Sequence, residues 1–165
     1  MSRTDDAPDT LELILPAPEA SEALARAVAP ALGAADVLLL SGEIGAGKTH
    51  FARALIQTRL AALGRTEDVP SPTFTLVQTY DAGPVEIWHA DLYRLTAPEE
   101  ALELGLDEAF DTAICLVEWP DRLAELAPAD ALRLSFKPDG EGRRLTVIAT
   151  GPRARALLPL FRSLP

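Results

Sequence analysis

Eight consecutive residues, Gly42-Glu43-Ile44-Gly45-Ala46-Gly47-Lys48-Thr49, fit G-x-x-x-x-G-K-[ST] and constrain this chain more than any other feature. Such a loop functions only between a buried strand and a helix. Its glycines take backbone conformations closed to other residues, so consecutive N–H groups can point inward at phosphate oxygens, and the positive end of the following helix adds to the attraction. Both neighbours are legible here. Residues 36–40 (DVLLL) form a compact apolar run, the pattern of a strand covered on both faces in a parallel sheet. Residues 49–63 read as a helix closed by Gly64. In this setting Lys48 is expected to neutralise charge on the β- and γ-phosphates, and Thr49 to place its hydroxyl on Mg²⁺. His50, next in the helix, is expected at the nucleotide's edge or on the nearby surface.

A phosphate loop needs a carboxylate at the end of a neighbouring strand to hold the magnesium or its waters, and a group to orient the attacking water. Two acids stand at suitable places. Glu118 follows the apolar strand pattern at residues 113–117, and Asp91 follows a strand at residues 85–90. Either acid could point into the phosphate site, and a solvated strand-end carboxylate is the ordinary alternative for each. A lone histidine in a strand, such as His89, is more often structural than catalytic. For guanine recognition only Phe136-Lys137-Pro138-Asp139 approaches the N/T-K-x-D pattern, in an expected hairpin turn and with Phe136 unable to supply a polar contact. Adenine is therefore the expected base.

The remaining segments complete an α/β domain. Residues 11–15 alternate as a short strand and residues 19–32 read as an alanine-rich helix. Residues 73–80 and 85–90 flank Asp81-Ala82-Gly83-Pro84 as a β-hairpin, and residues 98–104 read as helix. A strand pair, 132–136 with 145–149, brackets a turn at 138–142, and residues 152–164 form a closing helix. The expectation is a P-loop NTPase-like fold: a mostly parallel central sheet flanked by helices, with antiparallel hairpin strands. It fills residues 11–165 as one domain, behind a disordered tail at residues 1–10.

Composition narrows the function classes. The formal net charge is −10, only Lys48 and Lys137 are lysines, and the arginines are scattered, so no basic stripe exists to draw strong affinity for nucleic acid from counterion release. No run approaches the roughly 18 apolar residues of a membrane span. The N-terminus lacks the positive start and apolar run of a secretory signal, which suits a cytoplasmic protein. The single cysteine, Cys115, excludes an intrachain disulfide and reads as a buried small hydrophobe.

Several motifs together resemble the TsaE (YjeE) ATPases of bacterial tRNA threonylcarbamoyladenosine biosynthesis. They are the loop Gly42–Thr49, Ser71-Pro72-Thr73-Phe74-Thr75-Leu76-Val77, His89-Ala90-Asp91-Leu92-Tyr93-Arg94-Leu95, and Leu116-Val117-Glu118-Trp119-Pro120, supported by Pro98-Glu99-Glu100 and Leu104-Gly105-Leu106. The resemblance implies an ATPase in which Glu43, Ile44, Gly45, Ala46, Gly47, Lys48, Thr49 and His50 border the nucleotide and Arg143 lies near it. It implies that Thr49 and Glu118 coordinate magnesium, that Asp91 is required for hydrolysis, and that Ser71, Pro72 and Thr73 form a switch-like loop. It further implies TsaB and TsaD as protein partners. The chain departs from the commonest family pattern at Glu43, His50 and Phe74, none of which supplies a proposed catalytic group. A nucleotide-gated binding module and a small-molecule kinase are the competing readings. The kinase would need a mobile basic lid, and no Arg-rich insertion of that kind is present.

Overall fold

The computed structural model describes residues 9–162. It contains β1 (Asp9–Leu15), α1 (Pro18–Val28), β2 (Val37–Ser41), α2 (Lys48–Ala61), β3 (Val77–Asp81), β4 (Glu86–Asp91), α3 (Glu99–Glu103), α4 (Leu106–Thr112), β5 (Ile114–Glu118), β6 (Leu132–Asp139), β7 (Gly142–Ala149) and α5 (Pro152–Arg162), with 3-10 segments at Ala29–Ala31 and Pro120–Leu126. The strands form one seven-stranded sheet in the order β1-β7-β6-β2-β5-β4-β3. The central strands β6, β2, β5 and β4 run parallel, and antiparallel pairs close both sides, β3 against β4 on one and β7 against β6 with β1 against β7 on the other. This is the expected P-loop NTPase-like α/β architecture.

Side-chain alternation along the central strands divides the interior in two. Leu38, Leu40, Ile87, Ile114 and Leu116 join Leu24, Phe51, Leu55 and Phe161 of the helices α1, α2 and α5. Val37, Leu39, Ala90, Cys115 and Val117 face the other way, against Ala101, Leu106, Ala109 and Phe110 of α3 and α4. Strands covered on both faces need apolar side chains at every position, which is why β2 and β5 show no polar alternation.

Several boundaries differ from expectation. β1 starts at Asp9 and not at Leu11, and the rest of the expected tail, residues 1–8, lies outside the described residues. The first helix stops at Val28 and continues as a 3-10 turn, because Pro30 cannot donate a helical hydrogen bond. The strand expected from residue 73 begins at Val77. Residues 73–76 instead belong to a turn in which the Leu76 N–H donates to the Pro72 carbonyl at 2.7 Å, with Leu76 at φ 71°. The turn expected over 138–142 shrinks to Gly140 and Glu141, since Asp139 pairs with Gly142, and Phe136–Asp139 therefore belong to β6. Helix α4 was not anticipated. Residues 163–165 of the expected closing helix lie outside the described residues; α5 begins where Asp130 accepts from the Arg153 and Ala154 N–H groups, both at 2.9 Å.

Cys115 is fully enclosed, and burial pushes its thiol up to about 12. A thiol reagent applied at pH 8 is expected to leave the native chain unlabelled and to label one equivalent once guanidinium unfolds it. Phe51, packed with its ring centroid 5.8 Å from that of Phe136, anchors α2 to the sheet beneath the loop. Phe51→Ala is expected to cost about 3–5 kcal/mol of stability in denaturant unfolding.

Candidate functional site

The loop between β2 and α2 is shaped by three glycines with positive φ: Gly42 at 146°, Gly45 at 83° and Gly47 at 109°. Gly42 also has no room for a side chain, because a Cβ would lie 2.7 Å from the Phe136 carbonyl oxygen. Gly47 caps α2, whose first residues are Lys48 and Thr49. The Lys48 ammonium donates to the Gly42 carbonyl and, at 3.1 Å, to that of Glu43, and it sits 4.2 Å from the centre of the Trp119 ring. Burial lowers its pKa from the usual lysine value, while the charges of Glu118 and Asp91 pull in the opposite direction.

The two strand-end acids arrive at the same level. Register places Asp91 of β4 directly beside Glu118 of β5, and Glu118 beside Leu40 of β2, one strand residue before the loop is reached. Both carboxylates are buried. Thr49 Oγ1 donates to Glu118 Oε1 at 2.8 Å. Asp91 Oδ1 accepts from the Tyr93 N–H at 3.0 Å, and Oδ2 accepts from Thr73 Oγ1 at 3.2 Å. Ser71 and Thr73 share a 2.7 Å hydroxyl–hydroxyl hydrogen bond, so the turn at 71–76 is joined to Asp91 through Thr73.

These groups surround a cavity of about 430 Å³ lined by Gly45, Gly47, Lys48, Thr49, Asp91 and Glu118, with Ile44, His50, Thr73, Tyr93 and Trp119 completing its walls. A second cavity, of about 330 Å³, opens on the other side of the loop, where Gly45, Ala46, Gly47 and His50 meet Ser21, Phe136 and Arg143. Arg143 Nε donates to the Ala46 carbonyl at 2.9 Å, and a terminal nitrogen donates to that of Gly45 at 3.0 Å. His50 Nε2 lies 3.1 Å from Glu22 Oε2 but is not aligned for a hydrogen bond.

Oxygen donors dominate the first cavity, which suits a hard divalent cation shared with phosphate oxygens. Among the described residues no group of three or more His, Cys, Asp or Glu is placed to hold a metal unaided. Thr49 and Glu118 are the donors that fit such a shared ion. The combination of a glycine-built loop, a buried lysine and two strand-end carboxylates matches what phosphoryl chemistry requires of a protein.

Comparison with known proteins agrees with this geometry. The family model for "Threonylcarbamoyl adenosine biosynthesis protein TsaE" matches residues 15–146. This chain belongs to the TsaE family. That family is one of P-loop ATPases. The chain is 36% identical over 153 residues to a Rickettsia felis tRNA threonylcarbamoyladenosine biosynthesis protein TsaE, covering 93% of this chain and 88% of that one. It is 38% identical over 142 residues to the Bacillus subtilis protein of the same description, covering 85% and 86%. The crystal structure of Bacillus subtilis YdiB superposes with a TM-score of 0.77 at 33% identity, covering 94% of this chain and 97% of that one.

Of the residues expected from sequence, Lys48, Thr49, Asp91, Glu118 and Thr73 converge on the first TsaE cavity, together with Ile44, Gly45, Gly47 and His50. Ala46 and Arg143 line the second. The Glu43 carbonyl receives Lys48, while its residue lines neither of these two cavities; Ser71 reaches the site only through Thr73. Sequence reasoning read His89 as more often structural than catalytic and did not place it against Glu118, nor Trp119 over Lys48. The period of two along β4 puts His89 on the face of Asp91 and was the available signal. The guanine-motif near-miss is excluded differently than expected, since Phe136 is buried in a strand against Phe51.

Arg143 braces two carbonyls of the loop, so its removal should loosen a site whose phosphate donors depend on a fixed backbone. Arg143→Ala is expected to weaken ADP binding by about tenfold, on the order of 1.4 kcal/mol, in calorimetric titration.

Proposed function

We propose that this chain is a Mg²⁺-dependent ATP hydrolase of the cytoplasm that acts with TsaB and TsaD proteins in tRNA threonylcarbamoyladenosine biosynthesis. The observation that carries the chemistry is the convergence of Lys48, Thr49, Asp91 and Glu118 on one cavity at the mouth of a glycine loop. The family and its tRNA threonylcarbamoyladenosine biosynthesis relatives carry the biological setting.

In this reading the triphosphate lies along the loop, with backbone N–H groups and Lys48 on its oxygens. The ribose and adenine extend toward the second cavity, where His50 and Arg143 stand and Ser21 brings a buried hydroxyl without a partner among the described residues. Thr49 and Glu118 would hold the magnesium, which when bound would neutralise charge developing on the phosphates. Lys48 supplies a second positive charge that partial desolvation makes more effective. Asp91 orients the attacking water. Its carboxylate is fixed by Tyr93 and Thr73, so the oxygen facing the cavity has a defined direction. Water then bonds to the γ-phosphorus as the bond to the β-γ bridging oxygen breaks, giving ADP and phosphate. The turn at Ser71, Pro72 and Thr73 touches Asp91 and is suited to respond to the γ-phosphate.

A protein partner also fits the charge of the chain. A net −10 surface disfavours direct contact with the tRNA backbone and leaves docking to proteins that hold the RNA.

ATP turnover with Mg²⁺ should be measured for the chain alone and with TsaB–TsaD. Partner-stimulated turnover that drops by about a hundredfold or more in both Asp91→Asn and Glu118→Gln supports the assignment. Tight ATP binding with no turnover under any condition would instead favour a nucleotide-gated switch and remove the catalytic claim.

A further inference from the structure

The two oxygens of Glu118 are committed to different partners. Oε1 accepts from Thr49 Oγ1, and Oε2 lies 2.7 Å from Nε2 of His89, on the adjacent strand β4. His89 is 0% exposed, and the roles assigned above give it no part. A carboxylate can only accept hydrogen bonds, so Nε2 is the donor in this contact. The other ring nitrogen, Nδ1, is buried and has no hydrogen-bond partner among the described residues.

The orphaned nitrogen bears on why histidine stands here. An interior position that needs only bulk is filled more favourably by leucine or phenylalanine, which take no polar atom out of water. The neighbours on that face include apolar ones, since Leu116 is the register partner of His89 on β5 and Ile87, two residues earlier, is enclosed in the core, while Gln78 is the register partner of His89 on β3 and Asp91 follows two residues later. An imidazole at this place therefore carries an uncompensated cost at Nδ1, and its side-chain hydrogen bond among the described residues goes to the acid of the site. A histidine retained purely for packing would not show that combination.

We infer that His89 is a positioning residue for Glu118. By donating from Nε2 to Oε2, it fixes the rotation of the carboxylate so that Oε1 faces Thr49 and the phosphate loop. Without that anchor the carboxylate is free to turn about its own torsions, or to swing toward the Lys48 ammonium in the same cavity. Either motion would spoil the oxygen geometry that a small cation demands, since Mg²⁺ tolerates little departure from its octahedron. Groups that orient a metal-binding side chain act in this indirect way. The inference rests on the reading of Glu118 as a magnesium-holding acid.

The test compares full-length wild type, His89→Leu, His89→Gln and Glu118→Gln. ADP affinity is measured by calorimetry in Mg²⁺ and in EDTA, alongside melting temperature and ATP turnover. The wild type should bind ADP more tightly in Mg²⁺. In His89→Leu that magnesium-dependent gain should fall by about tenfold or more, with turnover following it, while the melting temperature does not drop. In His89→Gln, whose side-chain amide can donate from nearly the same place, most of the loss should be recovered. The inference is overturned if His89→Leu keeps the full magnesium gain. It is equally overturned if Leu and Gln lose affinity alike in Mg²⁺ and EDTA and both melt early, which is the mark of a packing role. A gain lost in Glu118→Gln but kept in His89→Leu removes this inference alone, whereas a wild type with no magnesium gain removes the reading of Glu118 and this inference with it.

Discussion

The site depends on one register. Three parallel strands, β2, β5 and β4, end side by side, with Leu40, Glu118 and Asp91 in a single line across the sheet. The ladder continues past their ends, as the Trp119 N–H donates to the Leu40 carbonyl at 3.2 Å and the Leu92 N–H donates to that of Glu118 at 3.0 Å. Because side chains alternate along a strand, slipping β4 or β5 by a single residue would turn its acid into the opposite core layer. Both acids are therefore placed by backbone hydrogen bonds made by apolar residues, and the chemistry inherits the precision of the sheet.

Electrostatically the cavity is a mixed environment. Two buried carboxylates and one partly desolvated ammonium share it, and the ammonium is further covered by the Trp119 ring. Such an arrangement repels a bare polyphosphate at its acidic end and attracts it at the loop. On the proposed reading, selectivity for a metal-complexed nucleotide would follow from that opposition without any dedicated all-protein metal cage.

Much of this was legible in the residues. The loop announced itself by glycine and lysine spacing, and the apolar runs before Gly42 and Glu118 identified strands that must be buried on both faces. Local chemistry of that kind is visible in one dimension. What was hidden depended on partners far along the chain. The Glu118–His89 bond joins two strands whose adjacency comes from sheet order, so His89 looked like any strand histidine. Residues 73–76 carry β-favouring side chains and were read as strand, yet the hydrogen bond from Leu76 back to Pro72 curls them into a turn. Residues 137–139 looked like turn because of Pro138 and Asp139, but tertiary pairing with Gly142 and Arg143 extended the strand through them. Helix α4 was missed because it is short and opens at Gly105, whose left-handed conformation separates it from α3.

The fork of Arg143 on the loop carbonyls has a consequence for how the molecule comes into being. It joins positions 97 apart in sequence, linking the loop to a hairpin made later in synthesis. Contacts of such separation form late, after the entropy of closing the intervening chain has been spent. During translation the loop and its helix can emerge and fold locally, but the brace must wait for β6 and β7. Full phosphate-gripping stiffness thus arrives only when β7 has left the ribosome, and a nascent chain cut before it carries the motif without its support.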